Sequence, residues 1–229
     1  MGGLYNLQCR YRRWRYHKTA ARTPVQPLYE QSCIKSSQHF ASTRFLVVDC
    51  EMSGLDAKTC QLLSMGWVMI EQGRIINASA KHLLVHADRG AGNSSKIHGL
   101  MDSSLAGAQS VAAVLMLLIQ QMQDAVLVFH HAPLDIRFLQ NAAIENFRCP
   151  MLFSYIDTMA IEKRRLHLQG KATGLRLAQC RERYGLISSA QHNAMADAVA
   201  TAELLLAQAS YLEKGQGLKL SELGISCST

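Results

Sequence analysis

Asp49 and Glu51 stand one residue apart at the end of a short apolar run, Phe45-Leu46-Val47-Val48. In an extended strand the period of two points both carboxylates to one side and Cys50 to the other. Carboxylates held that close repel unless a proton or a cation lies between them. For a single D-x-E pair, a salt bridge to an arginine is the ordinary alternative. Asp135 follows a second apolar run, Ala125 to Phe129, in the first turn of a helix that Pro133 starts. Taken alone, it would favour the helix N-terminus by ~0.3–1 kcal/mol. Asp197 lies five residues after His192, between Ala194-Met195-Ala196 and Ala198-Val199-Ala200. A solvated helix face would show Lys or Glu there, so this embedded carboxylate needs a partner. Carboxylates gathered in this way suit Mg²⁺ or Mn²⁺. Two such ions ~3.5–4 Å apart clamp the attacking and leaving oxygens of an in-line phosphoryl displacement. A histidine titrates near neutral pH, so His192 is able to accept a proton there.

Several elements must position these groups. Phe45–Val48 reads as a strand buried on both faces that delivers polar residues at its C-terminal end. Leu62–Ile70 and Ile75–Val85 read as an antiparallel pair joined across Glu71-Gln72-Gly73-Arg74. Val111, Val114, Leu115, Leu118 and Met122 recur at helical spacing. Ala125–Phe129 reads as a central strand, followed by a helix from Pro133 to about Asn146. A possible edge strand and helices at 157–168, 173–184 and 193–211 complete an α/β domain with a mixed sheet flanked by helices. In such a sheet, ligands gather beyond the carboxyl ends of the strands, where Asp49, Glu51 and Asp135 fall.

The charge is concentrated at one end. Residues 1–44 hold eight basic side chains against Glu30 alone, and so carry the whole formal charge of +7. This divides the chain into a basic arm (1–43), a neutral domain (44–212) and a tail (213–229) with little to pack. Pro24 and Pro27 are expected to break any helix begun in the Arg-rich stretch. Seven cysteines, an odd count with no C-x-x-C pair and no histidine at ligand spacing, argue against a disulfide framework or zinc site and suit a reducing cytoplasm. The longest apolar run, Val111 to Ile119, is too short to cross a membrane, so no membrane partner is expected. No secretory signal is legible; the acid-poor, Arg-rich start leaves an organelle transit peptide as an alternative.

Three motifs carry a family resemblance: Val47-Val48-Asp49-Cys50-Glu51-Met52-Ser53-Gly54-Leu55, His130-His131-Ala132-Pro133-Leu134-Asp135 with Phe138-Leu139, and His192-Asn193-Ala194-Met195-Ala196-Asp197. In this order the chain resembles the DEDDh 3′→5′ exonucleases, the superfamily of the DNA polymerase III epsilon subunit, ribonuclease T and oligoribonuclease. The H-x₄-D spacing marks the histidine branch. Ile97-His98-Gly99-Leu100 resembles the H-G-I element of the epsilon group, and Asp157-Thr158 and Arg183-Tyr184-Gly185-Leu186 match two further landmarks. The resemblance implies an RNase H-like fold in which Asp49, Glu51, Asp135 and Asp197 hold two divalent cations and His192 deprotonates the water. It places Met52, Ser53, Gly54, Leu55, His98, His131 and Phe138 at the substrate. Asp157 reads as a helix N-cap rather than a ligand.

The chain departs from the family pattern at His131, usually asparagine, and at Met52 and Ser53, usually threonines. These changes bear on nucleotide contact and leave the metal ligands intact. The expected partner is a nucleic acid, at single-stranded DNA or RNA 3′ ends. The H-G-L element favours DNA. Glu51-Met52-Ser53-Gly54-Leu55 also resembles the E-M-T-G-L of oligoribonucleases, which keeps RNA trimming as the alternative. A catalytically silent binding module would lack a ligand or the histidine, and all five are present. Neither a clamp-binding motif nor a polymerase-binding extension is evident after about residue 211, so an auxiliary or stand-alone enzyme is expected.

Overall fold

The computed structural model describes residues 2–87, 107–170, 174–187, 193–213, 215 and 217–228. In chain order its elements are α1 (Gly2–Ala20), α2 (Gln26–Glu30), β1 (Arg44–Met52), β2 (Leu62–Glu71), β3 (Arg74–Leu84), α3 (Val111–Gln121), β4 (Ala125–Phe129), α4 (Ala132–Phe147), β5 (Ser154–Asp157), α5 (Thr158–Leu168), α6 (Leu177–Glu182), α7 (Ala194–Leu212), α8 (Leu220–Leu223) and β6 (Ser226–Cys227). The strands form one mixed sheet in the order β3-β2-β1-β4-β5-β6. β1 runs parallel to β4, and β4 to β5; the other pairings are antiparallel. This is the expected mixed α/β sheet.

The centre of the sheet is apolar on both faces. Phe45–Val48 of β1 and all of β4 are buried, which explains their uninterrupted apolar runs. β1 continues past its expected end, so that Asp49 and Glu51 lie inside the strand, opposite Gly66 and Ser64 of β2. The β2–β3 turn places Gln72 and Gly73 at φ of 50° and 70°. Two consecutive residues with positive φ match the right-handed twist of the strands they join, and glycine at the second makes the conformation cheap. α3 begins at a Ser110 cap, whose side chain accepts from the Ala113 N–H.

The two ends correct the sequence expectation. The first 43 residues are not a free arm: α1 buries Tyr5 and Cys9, and α2 buries Leu28 and Tyr29, in the same core as the central strands. The prolines do interrupt the helix, since α1 stops at Ala20 and Pro27 sits in the first turn of α2. The tail packs as well, with Leu220, Leu223 and Ile225 buried and β6 paired to β5. Charge changes at residue 44, but packing does not, because scattered apolar residues in both ends find one shared core. No helix among the described residues is long and apolar enough to cross a membrane.

Candidate active site

β1, β4 and α7 converge on the carboxylates. One oxygen each from Asp49, Glu51 and Asp197 lies within 4.8 Å of the others. The first two share a side of β1, as strand alternation requires. Asp197 comes from the first turn of α7, where Asn193 caps the helix by accepting from the Ala196 N–H at 3.1 Å.

Gly66 makes this meeting possible. A Cβ on that residue would stand 2.2 Å from the backbone of Ala194 and Met195, so only glycine lets α7 begin against β2. Gly66 is also the register partner of Asp49. Its signal in the sequence is a lone glycine in a largely apolar strand, which marks a close backbone approach.

Asp135 is buried one turn into α4 and is not among the three clustered carboxylates. Its Oδ1 accepts from the Cys50 N–H at 3.1 Å, tying it to β1 between Asp49 and Glu51. The start of α4 is held by Asp157, whose carboxylate accepts from the N–H groups of His131 (3.0 Å) and Ala132 (3.2 Å). The same carboxylate caps α5 through Met159 N–H at 2.9 Å. Asp157 is therefore the expected N-cap, and it positions Asp135 as well.

Burial and mutual repulsion act together on these acids. Burial first, then Asp135, Glu51 and Asp197, push the Asp49 carboxyl well above its ordinary range. Burial and Asp197 raise Glu51 to about 7. Burial also raises Asp135 to about 7, against the hydrogen bonds from its own backbone and Cys50 that favour its charged form. A divalent cation would relieve all three, and the donors are the oxygens that Mg²⁺ and Mn²⁺ take. Across the β1–β2 register from Glu51, the buried Ser64 hydroxyl has no hydrogen-bond partner among the described residues. The site therefore fits a cation.

The other expected residues are distributed unevenly. His192 and His98 lie outside the described residues. Met52 is buried, Leu55 is exposed, and Ser53 closes the loop after β1 by exchanging hydrogen bonds with the Gln61 backbone. Gly54 is half-buried in that loop, against the Cys60 side chain. Phe138 is buried and lines a cleft of about 150 Å³ between residues 57–62 and α4. His131 is exposed at the left-handed cap of α4, its Nδ1 3.3 Å from the Met159 sulfur. The neighbouring His130 is structural, bridging Thr158 Oγ1 (2.8 Å) and the Leu175 carbonyl (2.9 Å).

Residues 46–205 match the family model described as exonuclease, RNase T. The chain belongs to that exonuclease family. Its relatives include the PolC-type DNA polymerase III of Thermotoga maritima, 30% identical over 200 residues. Another is the DNA polymerase III subunit epsilon-like protein of Rhodobacter capsulatus, 31% identical over 169 residues. The matches cover 87% and 71% of this chain but only 14% and 23% of those two proteins. Among solved structures, cell-death related nuclease 4 superposes with a TM-score of 0.64 at 17% identity, over 75% of this chain and 65% of its own. Escherichia coli exonuclease I, solved with a dT13 oligonucleotide, gives 0.60 at 14% identity, over 72% and 40%. Both superpositions support the RNase H-like exonuclease fold.

Proposed function

We propose that this exonuclease domain removes nucleotides from the 3′ end of single-stranded DNA, releasing nucleoside 5′-monophosphates with the help of two divalent cations. The observation that carries the proposal is the convergence of Asp49, Glu51 and Asp197 within 4.8 Å, on a partly buried site that raises the Asp49 and Glu51 carboxyls. Such an arrangement destabilises the empty protein and favours a cation-loaded one.

Asp49, Glu51, Asp135 and Asp197 would hold Mg²⁺ or Mn²⁺, with Asp135 fixed by its bond to the Cys50 N–H. When bound, the cations neutralise phosphate charge and act as Lewis acids. His192, in the H-x₄-D motif, takes a proton from the attacking water. The water oxygen bonds to the terminal phosphorus as the bond to O3′ of the preceding nucleotide breaks. The O3′ alkoxide left on the shortened strand takes a proton from solvent, His192 returns its proton to solvent, and the departing nucleotide keeps its 5′-phosphate. In this scheme the loop from Met52 to Leu55, with His98, His131 and Phe138, would contact the 3′-terminal nucleotide.

The dT13 oligonucleotide on exonuclease I supports a single-stranded DNA substrate. RNA is the second reading, favoured by Glu51-Met52-Ser53-Gly54-Leu55. Purified protein should be incubated with 3′- or 5′-labelled single-stranded DNA, duplex DNA and RNA, in Mn²⁺ or EDTA. Stepwise shortening of 5′-labelled single-stranded DNA, abolished by EDTA, is the expected outcome. Faster shortening of RNA would move the substrate assignment, and no degradation of any polymer in Mn²⁺ would refute the enzyme.

A further inference from the structure

Helix α1 has two apolar faces, and only one is covered. Tyr5, Cys9 and Ala20 are buried, and Arg12 donates to the Cys227 carbonyl of β6 at 2.9 Å. With about 3.6 residues per turn, the opposite side carries Leu4, Leu7, Tyr11 and Trp14. All four are exposed, Tyr11 by 56% and Trp14 by 76%. Arg10 and Arg15, both exposed, flank this stripe, and the exposed Lys18 extends it by one turn. The sequence has no acid before Glu30.

The spacing of the stripe is that of a helix pairing seam. A second copy of the chain would nevertheless set its arginines against these arginines. Charge complementarity requires a polyanion. The rings of Tyr11 and Trp14 lie 6.2 Å apart and tilted by 38°, beside three cations. Aromatic faces between Lys and Arg are what a single strand engages: bases stack on the rings and phosphates pair with the cations.

We infer that the outward face of α1 is a second contact for single-stranded nucleic acid, with bases stacking on Tyr11 and Trp14 and phosphates held by Arg10, Arg15 and Lys18. This rests on the proposed function for the polymer class alone. The helix precedes the family match at 46–205 and packs on β6, at the far edge of the sheet from β2 and β3. The contact therefore holds substrate without touching the reacting phosphate.

Trp14 reports on its own stacking, because the other tryptophan, Trp67, is buried. Full-length protein in EDTA should be titrated with oligothymidylate and oligouridylate. Quenching of Trp14 is expected, and it should persist in Trp67→Phe. By anisotropy of a labelled strand, Tyr11→Ala/Trp14→Ala should weaken binding about tenfold. Arg10→Gln/Arg15→Gln/Lys18→Gln should lower the log K versus log[salt] slope by about 2. Hydrolysis of a dinucleotide in Mn²⁺ should be unchanged in both variants.

Full affinity and slope in both variants, with no quenching, would overturn the assignment. So would a blue shift of Trp14 on phosphatidylserine vesicles without a response to oligonucleotides, which would give the face to an anionic membrane. Self-association lost in Leu4→Ser/Leu7→Ser, again without an oligonucleotide response, would give it to a second copy. Quenching by oligonucleotides without any hydrolysis in Mn²⁺ would sink the nuclease proposal while leaving this contact standing.

Discussion

Two sites that take carboxylates out of water, one fully buried and one partly, behave in opposite ways. Glu162 in α5 is fully buried, yet it is bound by Arg165 Nη2 at 2.6 Å, Arg183 Nη1 at 3.2 Å and the Tyr184 hydroxyl at 2.9 Å. Burial alone would raise its carboxyl, but these hydrogen bonds together hold it below its ordinary value. Asp49 and Glu51 are raised instead, by burial first and then by repulsion from other carboxylates. The first cluster carries its own cations and fastens α5 to the turn after α6. The second gathers carboxylates within 4.8 Å of one another, an arrangement a divalent cation would neutralise, and that difference separates a candidate binding site from a structural ion pair.

The sharpest way to break this comparison is to remove charge or base from the active cluster. Asp49→Asn should cost ~10²–10³-fold in turnover and weaken Mn²⁺ binding, because it takes a charge from the cation site. His192→Ala should slow turnover by ~10²–10⁴-fold with Mn²⁺ binding near normal. Calorimetric titration separates the two; equal loss of Mn²⁺ affinity would remove His192 from the role of base.

Geometry can be attacked without touching a carboxylate. Gly66→Ala should force α7 away from β2, because its Cβ would overlap backbone at 2.2 Å. A loss of ~3 kcal/mol in stability, together with weaker Mn²⁺ binding, is expected from overpacking at this site. Chemical denaturation and titration of the same sample measure both, and a variant with wild-type Mn²⁺ affinity would show that Asp197 does not depend on this approach.

The structural cluster should fail in stability alone. Glu162→Gln leaves Arg165 and Arg183 partly buried without their carboxylate and should destabilise by about 2–3 kcal/mol. Turnover per folded molecule should stay within about twofold. A large fall in kcat at full folding would place Glu162 within the catalytic machinery.

The smallest effect is in pH. Glu51 rises from 4.5 to about 7 on folding, so its protonated form stabilises the metal-free protein fully below pH 4.5 and loses that contribution as pH rises through about 7. Relative to Glu51→Gln, metal-free wild type should lose about 2 kcal/mol between pH 5 and 8. Mn²⁺ should restore the difference at pH 8, where the carboxylate is charged and able to bind. Parallel denaturation curves for the two proteins at both pH values would show that Glu51 titrates as an ordinary surface acid.

What the sequence determined by itself was local. Strand alternation puts Asp49 and Glu51 on one side, the Gln72-Gly73 turn makes the hairpin, and Asp157 caps the helix that follows it. Each depends on groups a few residues apart, whose geometry the backbone imposes. The ordered motifs also made the family legible, because each lies at a strand end or a helix start where ligands gather. Only the tertiary structure brought Asp197 to Asp49, through contact between Gly66 and the first turn of α7. It also decided that Glu162 is a structural acid, and that the basic arm and short tail belong to the main core. Burial and charge compensation depend on partners far along the chain, and a run of residues does not name its distant neighbours.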